Sequence, residues 1–309
     1  MNFNLIYEEF QKQFDLVGII ATKTYLETAK KLNINVPNEN YETMVVVGLS
    51  YPYRQIKATE DYLIPSFYTF GKDYHFILKE RINKVMNNLS LNYIANVDNH
   101  KHNERLASNL AGIGYMGKNQ LIISKEYGSY IFLGIIFIDL KFEKPYTLDI
   151  VDDCGDCTLC IKACPTGALD NGYDKFKCIS YFNQEKLEFD DFHINKNHSL
   201  FGCDICQVVC PKNINKGIKI HNEFILSNKE KVSITDLLTL SSKEFIDKYA
   251  DMAYLWRGKT VLMRNAIQLI NRKNYAQYLP LIKLTLKKDL PKYYTNLAKK
   301  TIEKLENSV

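Results

Sequence analysis

Residues 154–165 have the sequence CGDCTLCIKACP, and this stretch decides how the middle of the chain folds. Its four cysteines are separated by two, two and three residues, and a proline follows the last of them. A second stretch at 203–211, CDICQVVCP, ends in the same way, and Cys178 lies upstream of it. Paired 4Fe-4S clusters use this spacing, and the cysteine before each proline ligates the other cluster. The sequence therefore predicts a ferredoxin-like double 4Fe-4S module.

This pairing rule assigns all eight cysteines. Cluster one is predicted to take Cys154, Cys157, Cys160 and Cys210. Cluster two is predicted to take Cys164, Cys178, Cys203 and Cys206. A disulfide scaffold is the first alternative, but it suits short secreted chains rather than one of 309 residues. A pair of all-thiolate zinc sites is the second, and it leaves the two Cys-Pro endings unexplained.

Composition indicates an ordinary globular chain. With 309 residues and 46% hydrophobic content, two or three modest domains with packed cores are expected. The N-terminus lacks a basic start and apolar run, and the strongest apolar stretch, 130–140, is short and contains Asp139. We therefore expect a cytoplasmic, soluble protein with no membrane partner. No coiled-coil or exposed apolar repeat indicates assembly, so a monomer is expected.

The charge is distributed unevenly. Residues 1–211 carry 21 Lys and Arg against 26 Asp and Glu, whereas residues 212–309 carry 19 against 9. A solvated helical surface would explain such a basic tail, because lysine is common on exposed helix faces. A face that binds a polyanion is the alternative that we favour.

Hydrophobic patterning divides the chain into three predicted domains: 1–150, 151–215 and 216–309. The first reads as α/β with a mixed sheet, the second leaves little room for a core, and the third is helical with a helix-pair repeat. In the middle domain the clusters themselves must hold the fold together. The predicted strands cover 16–21, 44–49 and 130–139, and the predicted helices cover 7–14, 76–89, 104–111, 264–270, 278–287 and 293–305.

A dinucleotide-binding string occurs at Gly112-x-Gly114-x-x-Gly117. The fingerprint requires a strand before it and a helix after it. Here a predicted helix precedes the string, and a strand-like run at 120–124 follows it. We therefore expect no dinucleotide at this loop, although its glycines allow a close backbone approach to another group.

Several segments, in this order, resemble the epoxyqueuosine reductase family. They are 45–51 (VVVGLSY), 68–75 (YTFGKDYH), 97–105 (VDNHKHNER), 112–119 (GIGYMGKN), 128–134 (GSYIFLG), the eight cysteines, and 264–266 (RNA). The resemblance covers nearly the whole chain. It implies a cobalamin domain over 1–150, the double-cluster module over 151–215, and a HEAT-like helical region over 216–309 that binds tRNA.

The resemblance also implies the reaction. Epoxyqueuosine at the wobble position of a tRNA with a GUN anticodon is reduced to queuosine by cobalamin, which the clusters reduce with electrons from a low-potential donor. Cobalamin has no sequence motif here: Leu78 stands where a histidine box around His75 needs glycine. This departure fits a corrin that lacks a protein histidine ligand.

Asp98 matches the family's catalytic aspartate, and its implied role is to supply a proton as the C–O bond breaks. Carboxylates are normally ionised at neutral pH, so this role requires burial that raises the pKa or a proton relay. The alternative is an Asx turn or helix cap before Glu104. His100 and His102 are either relays or, more simply, exposed loop histidines.

The remaining site predictions concern binding. The cobalamin contacts implied by position are Asp98, Tyr68, Gly71, Lys118, Asn119 and Ser180, although a capped helix or a surface lysine would explain some of them equally well. The predicted tRNA contacts are Arg257, Lys259, Arg264, Arg272 and Lys273, with aromatic Trp256 and Tyr275 among them. Trp256 is either a stacking platform or, as for many lone tryptophans, part of a core.

Two other functions compete with tRNA modification. One is a cobalamin and iron-sulfur reductase of a small organic molecule that resembles reductive dehalogenases. Those enzymes typically carry a twin-arginine signal, which this N-terminus lacks. The other is a non-catalytic ferredoxin-like electron carrier, which would not need a whole α/β domain before the clusters.

Overall fold

The structure, a computed structural model, describes residues 3–142 and 153–307. Its strands are β1 (Leu16–Ala21), β2 (Thr43–Ser50), β3 (Tyr62–Leu63), β4 (Tyr93–Asn96), β5 (Tyr115–Met116), β6 (Ile122–Ile123), β7 (Ile131–Ile138) and β8 (Val232–Ser233). Its α-helices are α1 (Phe3–Gln11), α2 (Thr22–Lys31), α3 (Tyr74–Leu89), α4 (Glu104–Leu110), α5 (Leu159–Ala163), α6 (Ile179–Phe182), α7 (Asp191–Lys196), α8 (Ile205–Val208), α9 (Ile234–Thr239), α10 (Ser242–Lys248), α11 (Lys259–Lys273), α12 (Leu279–Thr285) and α13 (Lys292–Glu306).

The described chain forms two compact units built from non-contiguous segments. The first unit contains 3–53, 74–142, 153–158 and 210–223. The second contains 54–73, 159–209 and 224–307. The three predicted domains follow chain order instead, and the predicted boundary at 150 and 151 lies outside the described residues. Within those residues no helix is both long and apolar enough to span a bilayer.

A four-stranded sheet in the order β1-β2-β7-β4 forms the centre of the first unit. Every pairing in it is antiparallel, so the prediction of a mixed sheet is wrong for the described strands. Thr43 pairs with Ala21, so β2 begins beside the residue at which β1 ends, after the connection through α2. A connection that leaves and re-enters the sheet at the same end of the strands makes the two strands antiparallel.

Helices cover both faces of this sheet, which explains why β2 is buried along its whole length. Successive strand residues point to opposite faces. Met44 and Val46 therefore share one core cluster with residues of α2 and α4, while the other face packs against α3 through Val47 and Leu78. A strand buried on both faces appears in sequence as a continuous apolar run.

Helix α11 is the centre of the second unit. Its residues from Val261 to Asn271 are all buried, because α9, α10 and α13 pack around it. A left-handed Asn274 ends the helix. Ser241 and Glu244 form a capping box that fixes the start of α10. The predicted helix at 264–270 is thus the buried core of a longer one.

Candidate iron-sulfur and acid site

The cysteines lie on short turns and helix ends rather than on long elements. Cys160 lies within α5, Cys206 lies within α8, and Cys178 is the residue before α6. Cys210 precedes a 3-10 turn that begins with Pro211. None of the eight is in a disulfide, so the disulfide alternative is wrong. Each lies on a short piece of backbone that a metal cluster can fix.

In the second unit, burial is the main cause of the raised pKa values of two thiols assigned to cluster two, those of Cys203 and Cys206. Burial, together with the charges of Cys178, Cys160 and Cys164, raises the pKa of Cys206 to about 12. The pKa of Cys203 is raised as well, by burial and by Cys206 and Cys178. The four cysteines assigned to cluster two therefore lie near one another, and Cys160, assigned to cluster one, lies near them as well. Iron bound here would supply the positive charge that such buried thiolates need.

In the first unit, Cys210 lies near Cys154 and Cys157. Burial raises the pKa of Cys210, and the charges of those two cysteines contribute to the rise. Lys212, two residues after Cys210, donates to Asp153 at 2.5 Å, which ties the segment to the first cysteine turn. In the described part of the chain, no three Cys, His, Asp or Glu side chains gather as a single-ion site.

A hydrogen-bond network inside the second unit holds the loop of Cys203. The Asn183 amide donates to Gly202 O and accepts from Gly202 N, both at 2.9 Å. Asp204 accepts from Ser66 Oγ and from Phe67 N, the latter at 3.1 Å. Burial raises the pKa of Asp204 to about 6. These contacts place segment 66–68 against the cluster-two loop.

Arg264 is buried next to this network and does not lie on a surface that could bind nucleic acid. Its side chain is 0% exposed, and its guanidinium donates at 2.6 Å to both Glu185 O and Leu187 O. Asn265 donates to Asn183 O at 2.7 Å. Because its donors are bonded to backbone carbonyls in the interior, the prediction that Arg264 contacts tRNA is corrected to a structural role.

Lys259 is likewise buried, since its Nζ donates to Leu240 O at 2.5 Å and lies over the Phe245 ring. Burial lowers the pKa of Lys259 to about 8. Its predicted phosphate contact is therefore also corrected, because an ammonium enclosed in this way is not presented to an external ligand.

The other predicted tRNA contacts lie nearer the surface. Trp256 is 43% exposed, so the alternative that placed it in a core is wrong. Arg257 stacks on the Trp256 ring at 3.8 Å and pairs with Glu185 at 2.9 Å. Arg272 donates to Asn197 O at 2.6 Å, and both it and Lys273 are exposed. These residues form the accessible part of the predicted basic stretch.

Asp98 lies in the loop between β4 and α4, where two neighbours hold its carboxylate. Tyr74 Oη donates to Asp98 Oδ2 at 2.9 Å, and His75 Nε2 is 3.0 Å from the same oxygen. The backbone of Asp98 has φ +56°, a left-handed conformation that costs about 1 kcal/mol in a non-glycine residue. Asn103 caps α4, so the alternative that Asp98 is the helix cap is wrong.

The pKa of Asp98 is lowered, which excludes the first of the two routes considered from sequence, a pKa raised by burial. Burial pushes the pKa upward, but the hydrogen bonds from His75 and Tyr74 and the charge of His75 outweigh it. The carboxylate is thus ionised at neutral pH. Of the two routes considered from sequence, this environment favours the proton relay.

The two loop histidines are not exposed. His102 Nε2 lies 3.0 Å from Glu39 Oε1, and its side chain is 3% exposed. His100 Nε2 lies 3.0 Å from Glu104 Oε1 and is 9% exposed. The simpler prediction of exposed loop histidines is wrong, because each ring has a carboxylate partner inside the unit. Both rings hold the loop that carries Asp98.

The predicted cobalamin contacts divide between the units: Asp98, Lys118 and Asn119 lie in the first, and Tyr68, Gly71 and Ser180 lie in the second. Most of them have partners within the protein. Lys118 donates to backbone carbonyls of the first cysteine turn, and Asn119 is buried and accepts from Leu121 N.

The three contacts in the second unit are also engaged. Gly71 N donates to Glu230 Oε1 at 3.3 Å, and Ser180 Oγ accepts from Gln184. Tyr68 lies against Gly202, where an added Cβ would meet its ring at 2.9 Å. Of the six predicted contacts, Asp98 keeps an accessible side chain, which is 51% exposed.

The glycine string at 112–117 forms the corner of a β-hairpin. The order of elements around it, a helix before and a strand after, is the one predicted from the sequence. Helix α4 precedes it, β5 lies within it, and β6 follows. A Cβ at Gly114 would lie 2.5 Å from Ile123 O, and one at Gly117 would lie 2.5 Å from Ile123 Cδ1. These glycines are needed because β6 packs directly on them.

Comparison with known proteins agrees with this arrangement. Residues 153–213 match the model of the 4Fe-4S double cluster binding domain, and residues 33–103 match the model described as Epoxyqueuosine reductase QueG, DUF1730. The epoxyqueuosine reductase of Lactococcus garvieae (strain Lg2) is 34% identical over 296 residues, which cover 90% of this chain and 82% of that protein.

Two solved structures show the same fold. One is an epoxyqueuosine reductase from Bacillus subtilis whose aspartate catalytic loop is swung out of the active site, with 28% identity, 98% and 89% coverage and a TM-score of 0.85. The other is an epoxyqueuosine reductase with a tRNA-Tyr epoxyqueuosine-modified stem loop, with 25% identity, 98% coverage of both chains and a TM-score of 0.78.

A double-cluster segment joined to an antiparallel-sheet unit that carries a restrained aspartate defines an iron-sulfur oxidoreductase. Within that class, the chain belongs to the epoxyqueuosine reductase family. The expectation of an enzyme is confirmed, and the non-catalytic carrier is set aside.

Proposed function

We propose that this protein reduces epoxyqueuosine to queuosine at the wobble position of tRNA, with cobalamin and two 4Fe-4S clusters. Removing the epoxide oxygen as water consumes two electrons and two protons. The observation that carries the proposal is the Asp98 carboxylate held by Tyr74 and His75 in a chain with a double-cluster domain. The B. subtilis relative with its aspartate catalytic loop supports the same assignment.

The clusters deliver single electrons, and their ligands follow the assignment from spacing. Cluster one uses Cys154, Cys157, Cys160 and Cys210. Cluster two uses Cys164, Cys178, Cys203 and Cys206. The influence of Cys154 and Cys157 on Cys210, and of Cys178 on both Cys203 and Cys206, supports this division.

The donor set fits a corrin bound without a protein histidine on cobalt, because each of the six histidine rings has a partner. These pairs are His75 with Asp98, His100 with Glu104, His102 with Glu39, His193 with Asp190, His198 with Cys203, and His221 with Asp15. Bound cobalamin would supply a centre that transfers two electrons. Asp98 is the residue that would face it.

The residues around Asp98 manage the proton. Since the carboxylate is ionised, Asp98 passes a proton to the developing alkoxide rather than storing one. His75 Nε2, 3.0 Å away, is the group from which that proton comes, and Tyr74 fixes the orientation of the carboxylate. Tyr74 is in turn held by stacking on Phe132 at 4.1 Å.

Substrate binding is assigned to the helical region 216–309, which we describe as HEAT-like because α13 packs against both α11 and α12. Lys273, Arg272 and the Trp256–Arg257 stack are its accessible cationic and aromatic groups. Phosphate contacts by lysine and arginine would hold the stem loop, and the modified base would be splayed out to react.

The test is mass spectrometry of tRNA nucleosides from a strain that accumulates epoxyqueuosine, with and without this gene. Conversion to queuosine is expected when cobalamin is supplied. Persistent epoxyqueuosine, with cluster-loaded protein present in the cells, would refute the proposed substrate and favour a small organic molecule.

A further inference from the structure

A lysine outside the cysteine segment is bonded to the first cysteine turn. Lys118 Nζ donates to Gly155 O at 2.5 Å and to Cys157 O at 3.1 Å. Both carbonyls belong to the turn that Cys154 O and Cys157 N close at 3.0 Å. One ammonium thus binds a carbonyl between Cys154 and Cys157 and the carbonyl of Cys157 itself, and both cysteines are assigned to cluster one.

This contact also sets the direction of the peptide dipoles in the turn. In a trans peptide the C=O and the following N–H point in opposite directions. With the carbonyls of Gly155 and Cys157 directed at Lys118, the N–H groups of Asp156 and Thr158 face away from the lysine. Gly155 has φ +44°, which glycine adopts without strain. The lysine therefore determines which side of the turn carries its N–H donors.

A second residue of the same segment lies beside the turn. Burial raises the pKa of Tyr115, and the charge of Cys154 raises it further. Lys118 follows three residues later, after the corner in which Gly117 packs on Ile123. The hairpin therefore lies beside the turn at two positions, Tyr115 and Lys118, and outer contacts of this kind tune metal sites.

We propose that Lys118 positions the first cysteine turn and raises the reduction potential of cluster one. A cluster with four thiolates is anionic and gains another negative charge on reduction. A fixed cation favours the reduced form, since net charge and hydrogen bonding set cluster potentials. Lys118 is a positioning residue that acts through the turn, and the inference rests on the ligand assignment under the proposed function.

The test is an EPR-monitored redox titration of the full-length chain with reconstituted clusters and no cobalamin. In Lys118→Met, the midpoint potential of one of the two cluster signals is expected to fall by at least about 59 mV. For a one-electron couple this shift is a tenfold change in the equilibrium constant of reduction. The other signal is expected to stay in place. Unchanged midpoints for both clusters in Lys118→Met would overturn the proposal.

Two further variants separate charge from hydrogen bonding. Lys118→Arg keeps the cation and should retain the wild-type midpoint, whereas Lys118→Gln keeps a donor without charge and should show an intermediate shift. If Lys118→Met fails to load cluster one, loading in Lys118→Arg supports the positioning role. Failure of Lys118→Arg to load, with full loading in Lys118→Gln, would contradict it.

Lys229→Met is the matched control. Lys229 also donates to a backbone carbonyl, Ala250 O at 2.8 Å, in a segment without cysteines. Neither midpoint should move in this variant, and a shift equal to that of Lys118→Met would overturn the proposal. Wild-type protein without two cluster signals would instead refute the ligand assignment. A midpoint shift that requires added cobalamin would assign Lys118 to that cofactor.

Discussion

Asn183 and Gly202 bind each other through a reciprocal pair of hydrogen bonds. The Asn183 side chain donates to Gly202 O and accepts from Gly202 N, each at 2.9 Å. Gly202 precedes Cys203, and Asn183 follows Cys178 by five residues. The pair therefore restrains the separation between Cys178 and Cys203, two of the cysteines assigned to cluster two.

Arg264 donates to the backbone carbonyl of Asn183, and its replacement should destabilise the second unit. Arg264→Met leaves the carbonyls of Glu185 and Leu187 without their charged donor. Buried hydrogen bonds to a charged group are worth about 1.5–3 kcal/mol each, so we expect a loss of about 3 kcal/mol. Thermal or urea unfolding measures it. Arg272→Met, which removes an exposed arginine with one carbonyl bond, is the control, and an equal loss there would contradict the prediction.

Asp98→Asn should abolish turnover without unfolding the protein. Asparagine tolerates the left-handed conformation at this position, so the loop is retained. A missing proton-transfer group typically costs about 100- to 10,000-fold in rate. Single-turnover conversion of epoxyqueuosine in tRNA is the measurement. Asp98→Gly, which relieves the strained φ, should be equally inactive. Activity in either variant near the wild-type rate would refute the role of the carboxylate.

Asp15 should make stability depend on pH in the acidic range. Its carboxylate is 2% exposed and accepts from Ser50 at 2.7 Å and from His221 at 2.8 Å. Burial opposes ionisation, but these bonds and that of Lys219 lower the pKa of Asp15. A lowered folded pKa gives stability that is present above the unfolded value of about 3.9 and is lost as pH falls toward the folded pKa.

Asp15→Asn should therefore lose about 3 kcal/mol near pH 7, because it breaks a buried charge network. The difference from wild type should shrink as pH falls below about 4. Urea denaturation at a series of pH values tests this. A constant difference across that range would contradict the assignment to Asp15. Asp139→Asn, an acid at the end of β7, is expected to show little change.

Cys178→Ala should remove one cluster and leave the other. Iron content should fall from about eight to about four per chain, since each cluster has four irons. Cys157→Ala should lose the complementary EPR signal. Iron analysis and EPR of both proteins provide the measurement. Loss of the same signal in the two variants would show that the division of ligands is wrong.

Lys273→Gln should weaken tRNA binding at every stem-loop sequence. The slope of log K against log salt concentration is negative, and loss of one phosphate contact reduces its magnitude by about 0.7 to 0.9. Binding titrations at several salt concentrations measure that slope. Lys23→Gln, which removes a lysine that is 84% exposed in the first unit, is the matched control. A slope that stays at its wild-type value in Lys273→Gln would exclude this contact.

The sequence predicts much of the fold because apolar periodicity reports burial directly. Strand β1 occupies the predicted residues, and β2 and β7 differ by single residues at their ends. Helix α2 was missed because it begins at Thr22, directly after a strand and without a side-chain cap. Strand β4 was missed because it is a short, half-exposed edge.

The site was only partly predictable. Cysteine spacing identifies the clusters because metal geometry restricts it. Arg264 was misassigned because a cation in sequence shows no preference between phosphate and an interior carbonyl. The lowered pKa of Asp98 could not be anticipated, since it depends on His75, which lies 23 residues away in sequence.

The place of Arg264 in the chain bears on how the protein is made. It lies more than fifty residues beyond Cys210, yet it bonds to the backbone between Cys178 and Cys203. During synthesis, the last cysteine leaves the ribosome well before this arginine does. Iron delivered to a nascent chain at that stage would meet the cysteines assigned to cluster two without the support of α11.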